Sequence, residues 1–168
     1  MKPPYCLLPR LMFIGALLLL SCDRSDEKEQ DLTDQAPNEQ EMVSVMQQHL
    51  DAVTNRDLQA LKRTMSPEGT MQLILPGSEI MYSVDEFMDY HREWFKDSTW
   101  TFDTRILNTA VGDPIGMAVV EVTYREPDRA GKPYYNRMIV SYDLKRVDRQ
   151  WYVIKDHASS VERSASEE

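Results

Sequence analysis

Cysteine is almost missing from this 168-residue chain: Cys6 and Cys22 are the only two. Two thiols cannot build a disulfide framework or a four-cysteine zinc site. Clustered basic charge is missing too. The 28 Asp and Glu outnumber the 19 Lys and Arg, for a net charge of −9, and a nucleic-acid partner would need the opposite balance to neutralise phosphates. No apolar run reaches the length of about 18 residues that a membrane-spanning helix requires. No HExxH or comparable ligand spacing occurs, so no metal is expected, and no cofactor is expected either. There is no internal repeat. What is left is an acidic chain long enough for one ordinary domain with a sizeable core.

The N-terminus reads as an address. Lys2 and Arg10 precede an apolar run, Leu11 to Leu20, which is too short to span a bilayer and has signal-peptide proportions. The run ends in Leu19-Leu20-Ser21-Cys22, which resembles the lipobox of bacterial lipoproteins. That resemblance implies cleavage before Cys22, lipid (palmitate among the acyl chains) on its thiol, and a membrane partner reached through that lipid. It also implies a periplasm-facing place in the bacterial cell envelope. Asp23, the next residue, resembles an inner-membrane retention signal. Residues 22–37 follow as the lipidated cysteine and an acidic tether. They carry one large aliphatic, Leu32, and too little apolar surface to repay the entropy of ordering. Pro37 is expected to stop the first helix from extending back into the tether. Ser159 to Glu168 is small and polar and is expected to fray. The folded domain is therefore placed at 38–158.

Within it, capping and periodicity predict helices first and strands afterwards. Asn38 and Glu41 have capping-box spacing before Met42, Val45, Met46, His49 and Val53, which recur at helical period. Asp57 caps a short second helix through Leu58, Leu61 and Met65. Ser83 and Glu86 form another capping box, which opens a third helix with Val84, Phe87, Met88, His91 and Phe95 on one face. Strands are expected at Thr70–Leu75, Glu79–Tyr82, Thr99–Leu107, Gly116–Arg125, Tyr134–Lys145 and Gln150–Ala158, joined by Pro/Gly/Asp turns. This order means an α+β fold, with three N-terminal helices packed on one face of a curved, mainly antiparallel sheet.

Several motifs in this order resemble the NTF2-like (SnoaL-like) superfamily. Leu50-x-x-Val53-x-Asn55-x-Asp57 is similar to its junction of first and second helices. His91-Arg92-x-Trp94-Phe95, Thr104-x-Ile106-Leu107-Asn108, Trp151 and His157-x-Ser159 resemble the association domain of calcium/calmodulin-dependent kinase II and its bacterial relatives. The resemblance covers nearly all of 42–159. It implies a cone-shaped ligand pocket and homodimerisation. It also implies either pure assembly and ligand binding or small-molecule isomerase, cyclase or hydratase chemistry.

The residues choose between these uses. A ketosteroid isomerase of the superfamily has a pocket Tyr where this chain has His49, and a carboxylate base where it has Leu73, so that chemistry lacks its proton acceptor. Likewise the pocket arginines of the kinase association domain are replaced by Glu121, Tyr142 and Ala158. Strand parity puts Tyr134, Asn136, Met138, Val140, Tyr142 and Leu144 on the helix-facing side, and Tyr152, Ile154 and Asp156 together on one face of the last strand. For the strand 116–125, apolarity favours Ala118, Val120, Val122 and Tyr124 inside, whereas the resemblance puts Glu121 there. The expected ligand pocket is His49, His91, Trp94, Glu121, Tyr142 and Asp156. If the domain is catalytic, His49, His91 and Asp156 are its acid and base candidates. If Glu121 and Asp156 both face inward, the cavity prefers a cation or a hydrogen-bond donor. Tyr135, Ile139, Trp151 and Val153 are expected on the outer sheet face as a dimer surface. The favoured reading is a membrane-tethered, non-catalytic domain that binds a small molecule or a protein partner.

Overall fold

The computed structural model describes residues 25–77 and 79–164, with side-chain surroundings from Pro37 onward. The expected signal peptide (1–21), the expected lipidation site Cys22 and Asp23 lie outside the described residues, as do 165–168.

Helix α1, Ser25–Thr54, lies along the inner face of the sheet. Its buried residues Met42, Met46, His49, Leu50 and Val53 fall at the spacing that makes one helical stripe. The helix runs through Pro37 rather than starting after it, which corrects the expectation that proline would end it. A proline forfeits one hydrogen bond, to the carbonyl four residues earlier, and crowds that turn; the bonds on either side remain available. At the far end Arg56 takes a left-handed conformation with φ of 57°. Its guanidinium holds it there, bonding the carbonyls of Asp97 (3.2 Å) and Trp100 and lying 3.7 Å from the Trp100 ring centroid. Asp57 then accepts a 2.8 Å bond from the Ala60 amide and caps α2, Leu58–Arg63. In α3, Val84–Trp94, the Ser83 side chain accepts from the Glu86 amide (3.2 Å) while Glu86 accepts from the Tyr82 amide (2.7 Å). That reciprocity is the capping box read from the sequence, with the return bond displaced by one residue.

Six strands form one curved sheet in the order β2-β1-β6-β5-β4-β3. They are β1 Thr70–Ile74, β2 Ile80–Ser83, β3 Thr101–Val111, β4 Ile115–Arg129, β5 Lys132–Val147 and β6 Gln150–Arg163. All neighbours are antiparallel except β1 and β6. The architecture is α+β, with helices on one face of a mixed sheet. β6 extends through Ser159–Arg163, which pair with β5 instead of fraying. Small polar residues suffice there because the ladder to β5 satisfies their backbone groups.

Two bulges in β6 reset its parity. Asp143 pairs with Lys155 and Leu144 with Val153, so Ile154 is the extra residue; a second extra residue is Val161. Trp151 and Val153 are consequently fully buried, not part of an outer face. After Ile154 the inward positions become Asp156 and Ala158. On β4, Ala118, Val120 and Val122 are buried in the core, and Glu121 points the other way. At the narrow end Gly116 lets α1 pass close. A side-chain carbon there would come within 2.3 Å of Met42 Sδ.

Candidate functional site

Between α3 and the inner face of the sheet lies a cavity of about 430 Å³. Its apolar wall comes from Val53 of α1, Leu73 of β1, and Met138 and Val140 of β5. Aromatic rings form a second wall. Trp94 stacks on Trp100 at 4.4 Å and leans against Phe102 (5.7 Å) and Tyr124 (5.9 Å), and Trp94, Phe102 and Tyr124 all line the cavity.

Asp156 is the polar end of this cavity. The bulge at Ile154 turns it inward, between its register partners Tyr142 on β5 and Leu73 on β1, and all three line the space. Asp156 is half-buried and lines the cavity. Among the described residues no hydrogen bond or ion pair reaches its carboxylate, and burial pushes its pKa up to about 7. Burial likewise raises the Tyr142 hydroxyl well above its ordinary value, with the Asp156 charge adding to it. Tyr90 on α3 is raised by burial and then by the charges of Glu79 and Asp156.

His91 joins them from α3. Its Nδ1 lies 2.8 Å from the Phe87 carbonyl, which can only accept, so Nδ1 carries the hydrogen and Nε2 keeps the lone pair. Burial lowers the ring to about pH 4, against the opposing pull of that carbonyl. Near neutral pH the cavity therefore holds an unprotonated imidazole beside a carboxyl that burial brings into its titration range. Asn136 on β5 completes the polar set. It is 9% exposed and lines the cavity, and its Oδ1 has no hydrogen-bond partner.

The cavity mouth is built by the β4–β5 hairpin and the turn after β1. Tyr124 donates a 2.6 Å bond to Glu126, and Arg129 clasps the same carboxylate through two nitrogens, one at 2.8 Å. The Arg129 guanidinium lies 3.5 Å from the Tyr134 ring centroid. The Arg129 pair holds Glu126 below its ordinary range, and burial together with the Glu126 bond pushes Tyr124 up to about 12. Pro76, Gly77 and Glu79 form the other lip.

Four of the residues singled out in the sequence thus meet in one wall: His91, Trp94, Tyr142 and Asp156. Two do not. His49 lies behind the wall, fully buried, with its ring 5.6 Å from that of Tyr142. Thr64 spends its hydroxyl proton on the Leu61 carbonyl (2.7 Å) and so accepts from His49 Nδ1 (2.8 Å), which leaves Nε2 buried and unpaired. Burial lowers this ring to about pH 3, so it stays neutral in the core. Glu121 lies on the opposite sheet face, bonded to Arg105 (2.9 Å) and Arg137 (3.3 Å), because the buried residues Val120 and Val122 take the inward parity of β4. Sequence reasoning missed Tyr90, Asn136 and the Glu126–Arg129 clasp as site residues. Asn136 and Tyr124 carried a signal, since parity had already put both on inward faces. No cluster of three potential metal ligands occurs among the described residues.

Solved structures of similar shape share little sequence with this chain. A dehydratase candidate of the NTF2-like family from Streptomyces avermitilis matches with a TM-score of 0.66 at 13% identity, over 76% of this chain and 99% of that one. A ketosteroid isomerase-like protein from Erwinia carotovora atroseptica has a TM-score of 0.62 at 14% identity, over 73% and 95%. The association domain of calcium/calmodulin-dependent kinase II from C. elegans has a TM-score of 0.53 at 19% identity, over 82% and 98%. Among curated proteins no sequence matches significantly. These likenesses lie in the fold, and residues 43–162 match the SnoaL-like domain: the chain belongs to that family.

Proposed function

We propose that the domain binds a small, largely apolar molecule in this cavity, with the polar end of the ligand read by Asp156, His91 and Asn136. The observation that carries the proposal is the inward, unpaired Asp156 in an otherwise apolar and aromatic cavity of about 430 Å³. A carboxyl in that position loses its hydration without a protein partner, and such an arrangement is sustained where a ligand supplies one. The neutral apolar dye N-phenyl-1-naphthylamine tests it. Fluorescence should rise to a one-to-one end point, and Ala158→Trp, which fills the cavity, should abolish the rise with the far-ultraviolet dichroism intact. A wild-type chain that leaves the dye dark would reject the proposal.

The placement of the chain agrees with a tethered receptor. Lipidation of Cys22 would anchor the N-terminal end of α1, and Cys22→Ser should release the protein from the membrane fraction. Asn38 of α1 bonds the Gly112 carbonyl (3.3 Å) and Trp151 Nε1 (3.0 Å) at one end of the sheet. The mouth, at Arg129 and Tyr134, lies at the opposite ends of β4 and β5. The cavity of the anchored domain would then open away from the bilayer. A homodimer is part of this proposal. The outer face combines Val119 and Ile139 with the alternating charges Arg105, Glu121, Arg137 and Glu162, a surface that can pair with a rotated copy of itself. Sedimentation at twice the monomer mass would support the dimer, and a monomer would count against it.

A second reading, acid–base catalysis on the bound molecule, is favoured by one observation. Asp156 and His91 are pushed in opposite directions, to about 7 and about 4, so at neutral pH one can give a proton while the other takes one. Turnover of a bound molecule that disappears in Asp156→Asn would establish it; binding without turnover leaves the receptor.

A further inference from the structure

The charges and rings around the cavity constrain what can enter it. From the β1–β2 turn comes Glu79, from β4 Glu126 and Arg129, from α3 Tyr90 and His91, from β5 Tyr142, and from β6 Asp156. Among the described residues Arg129 is the only Lys or Arg lining the cavity, and Glu126 holds it. Among the described residues no ion pair reaches Asp156 or Glu79, the latter exposed at the lip, so the cavity has carboxyl groups without a basic partner. His91 is held neutral by burial and adds nothing to offset it. Asn136 adds a buried carbonyl oxygen without a donor. Around these acceptors stand the faces and edges of Tyr90, Trp94, Phe102, Tyr124 and Tyr134. Ring faces are negative at their centres and attract cations, most strongly where water is excluded. The protein already uses one of them this way, for Arg129 over Tyr134.

Resting on the reading of this cavity as a ligand site, we propose that its ligand is an organic cation: an apolar body carrying an amine or quaternary ammonium group, held between the aromatic wall and the carboxylates of Asp156 and Glu79. An anionic ligand would meet two uncompensated carboxylates and no free cation. A neutral apolar one would leave Asp156 and Asn136 without partners. Because Asp156 titrates near neutrality, a cation should draw its proton off. Preference for the cation should therefore strengthen as the pH rises, and the other groups facing Asp156, namely Tyr90, Tyr142 and His91, stay uncharged over that range.

Displacement of bound N-phenyl-1-naphthylamine by three probes of one shape class tests this on the full chain. The probes are benzyltrimethylammonium, the uncharged neopentylbenzene and phenylacetate. Benzyltrimethylammonium should bind about tenfold more tightly than neopentylbenzene, and phenylacetate should be the weakest. That ratio should grow between about pH 6 and pH 8 and collapse towards unity in the double variant Glu79→Gln, Asp156→Asn. Glu121→Gln, on the outer face, should leave it unchanged. Tighter binding of neopentylbenzene or phenylacetate than of the cation would overturn the cation proposal while leaving the cavity a ligand site. If neither the dye nor any probe binds, both fall together. A ratio insensitive to the double variant would equally overturn the assignment of Asp156 and Glu79.

Discussion

Glu121 and Asp156 are both carboxylates, on the two strands that flank β5, yet they live in opposite worlds. Glu121 lies on the outer face, where Arg105 and Arg137 bond it and hold its pKa below the ordinary value. Asp156 lies on the inner face, unpaired, and burial drives it up to about 7. The side of a sheet, set by single-residue parity, decides whether a carboxylate is a solvated partner in an ion pair or the polar end of a binding cavity. The lesson extends to the whole domain. Its outer face is laced with charge pairs, whereas around the cavity on its inner face Asp156 has no ion pair among the described residues and Asn136 Oδ1 is buried without a hydrogen-bond partner.

Three substitutions break or sharpen that contrast. The largest effect is expected from Val120→Asp, which puts a carboxylate on the inner face one residue before Glu121 but in the packed core instead of the cavity. Val120 is completely buried, so the chain should lose about 4 kcal/mol or more and fail to show a cooperative melt at neutral pH. Next is Asp156→Asn. The raised pKa means that the unfolded chain ionises this carboxyl before the folded one does. Stability is therefore full below the unfolded pKa of about 4 and declines as pH rises towards 7. Asn removes the decline, so the variant should be more stable than wild type at pH 8, by on the order of 3 kcal/mol, and equal to it near pH 3.5. Urea melts at the two pH values read the difference directly. The smallest effect is Glu121→Gln. Its lowered pKa contributes stability present above the ordinary carboxylate pKa and lost on acidification, but the group is solvent-screened. Thermal melts of this variant and wild type should coincide at neutral pH.

Much of this was readable in the sequence, and the failures have definite physical causes. Ser83 with Glu86, Asp57, and the stripe Met42, Val45, Met46, His49 and Val53 marked the helices, because caps and amphipathic periods are local signals. Parity on β5 located Tyr142 and Asn136 correctly on the inner face, since that strand pairs regularly with β4 from Tyr134 to Lys145. Parity failed on β6, where the extra residue Ile154 lets Trp151 and Asp156 both face inward although they differ in parity. A bulge leaves no mark in hydrophobic alternation when the residues around it, Tyr152 to Lys155, alternate in neither pattern cleanly. On β4 the alternation of Ala118, Val120 and Val122 was the better guide than the family resemblance, which put Glu121 inside. Pro37 misled for a different reason: a proline weakens a helix locally without forbidding it. The Glu126–Arg129 clasp was illegible, since it depends on how the β4–β5 hairpin bends over the mouth.

The proposed function turns on Asp156 facing a ligand-sized cavity with no counter-charge among the described residues. Carbon-13 NMR of the Asp156 side-chain carboxyl, titrated in the ligand-free chain and assigned with Asp156→Asn, reads this directly. The midpoint should lie near the value of about 7 to which burial pushes this carboxyl. A midpoint at the ordinary aspartate value, about 4, would put the carboxylate in bulk water or in a salt bridge and would contradict the account.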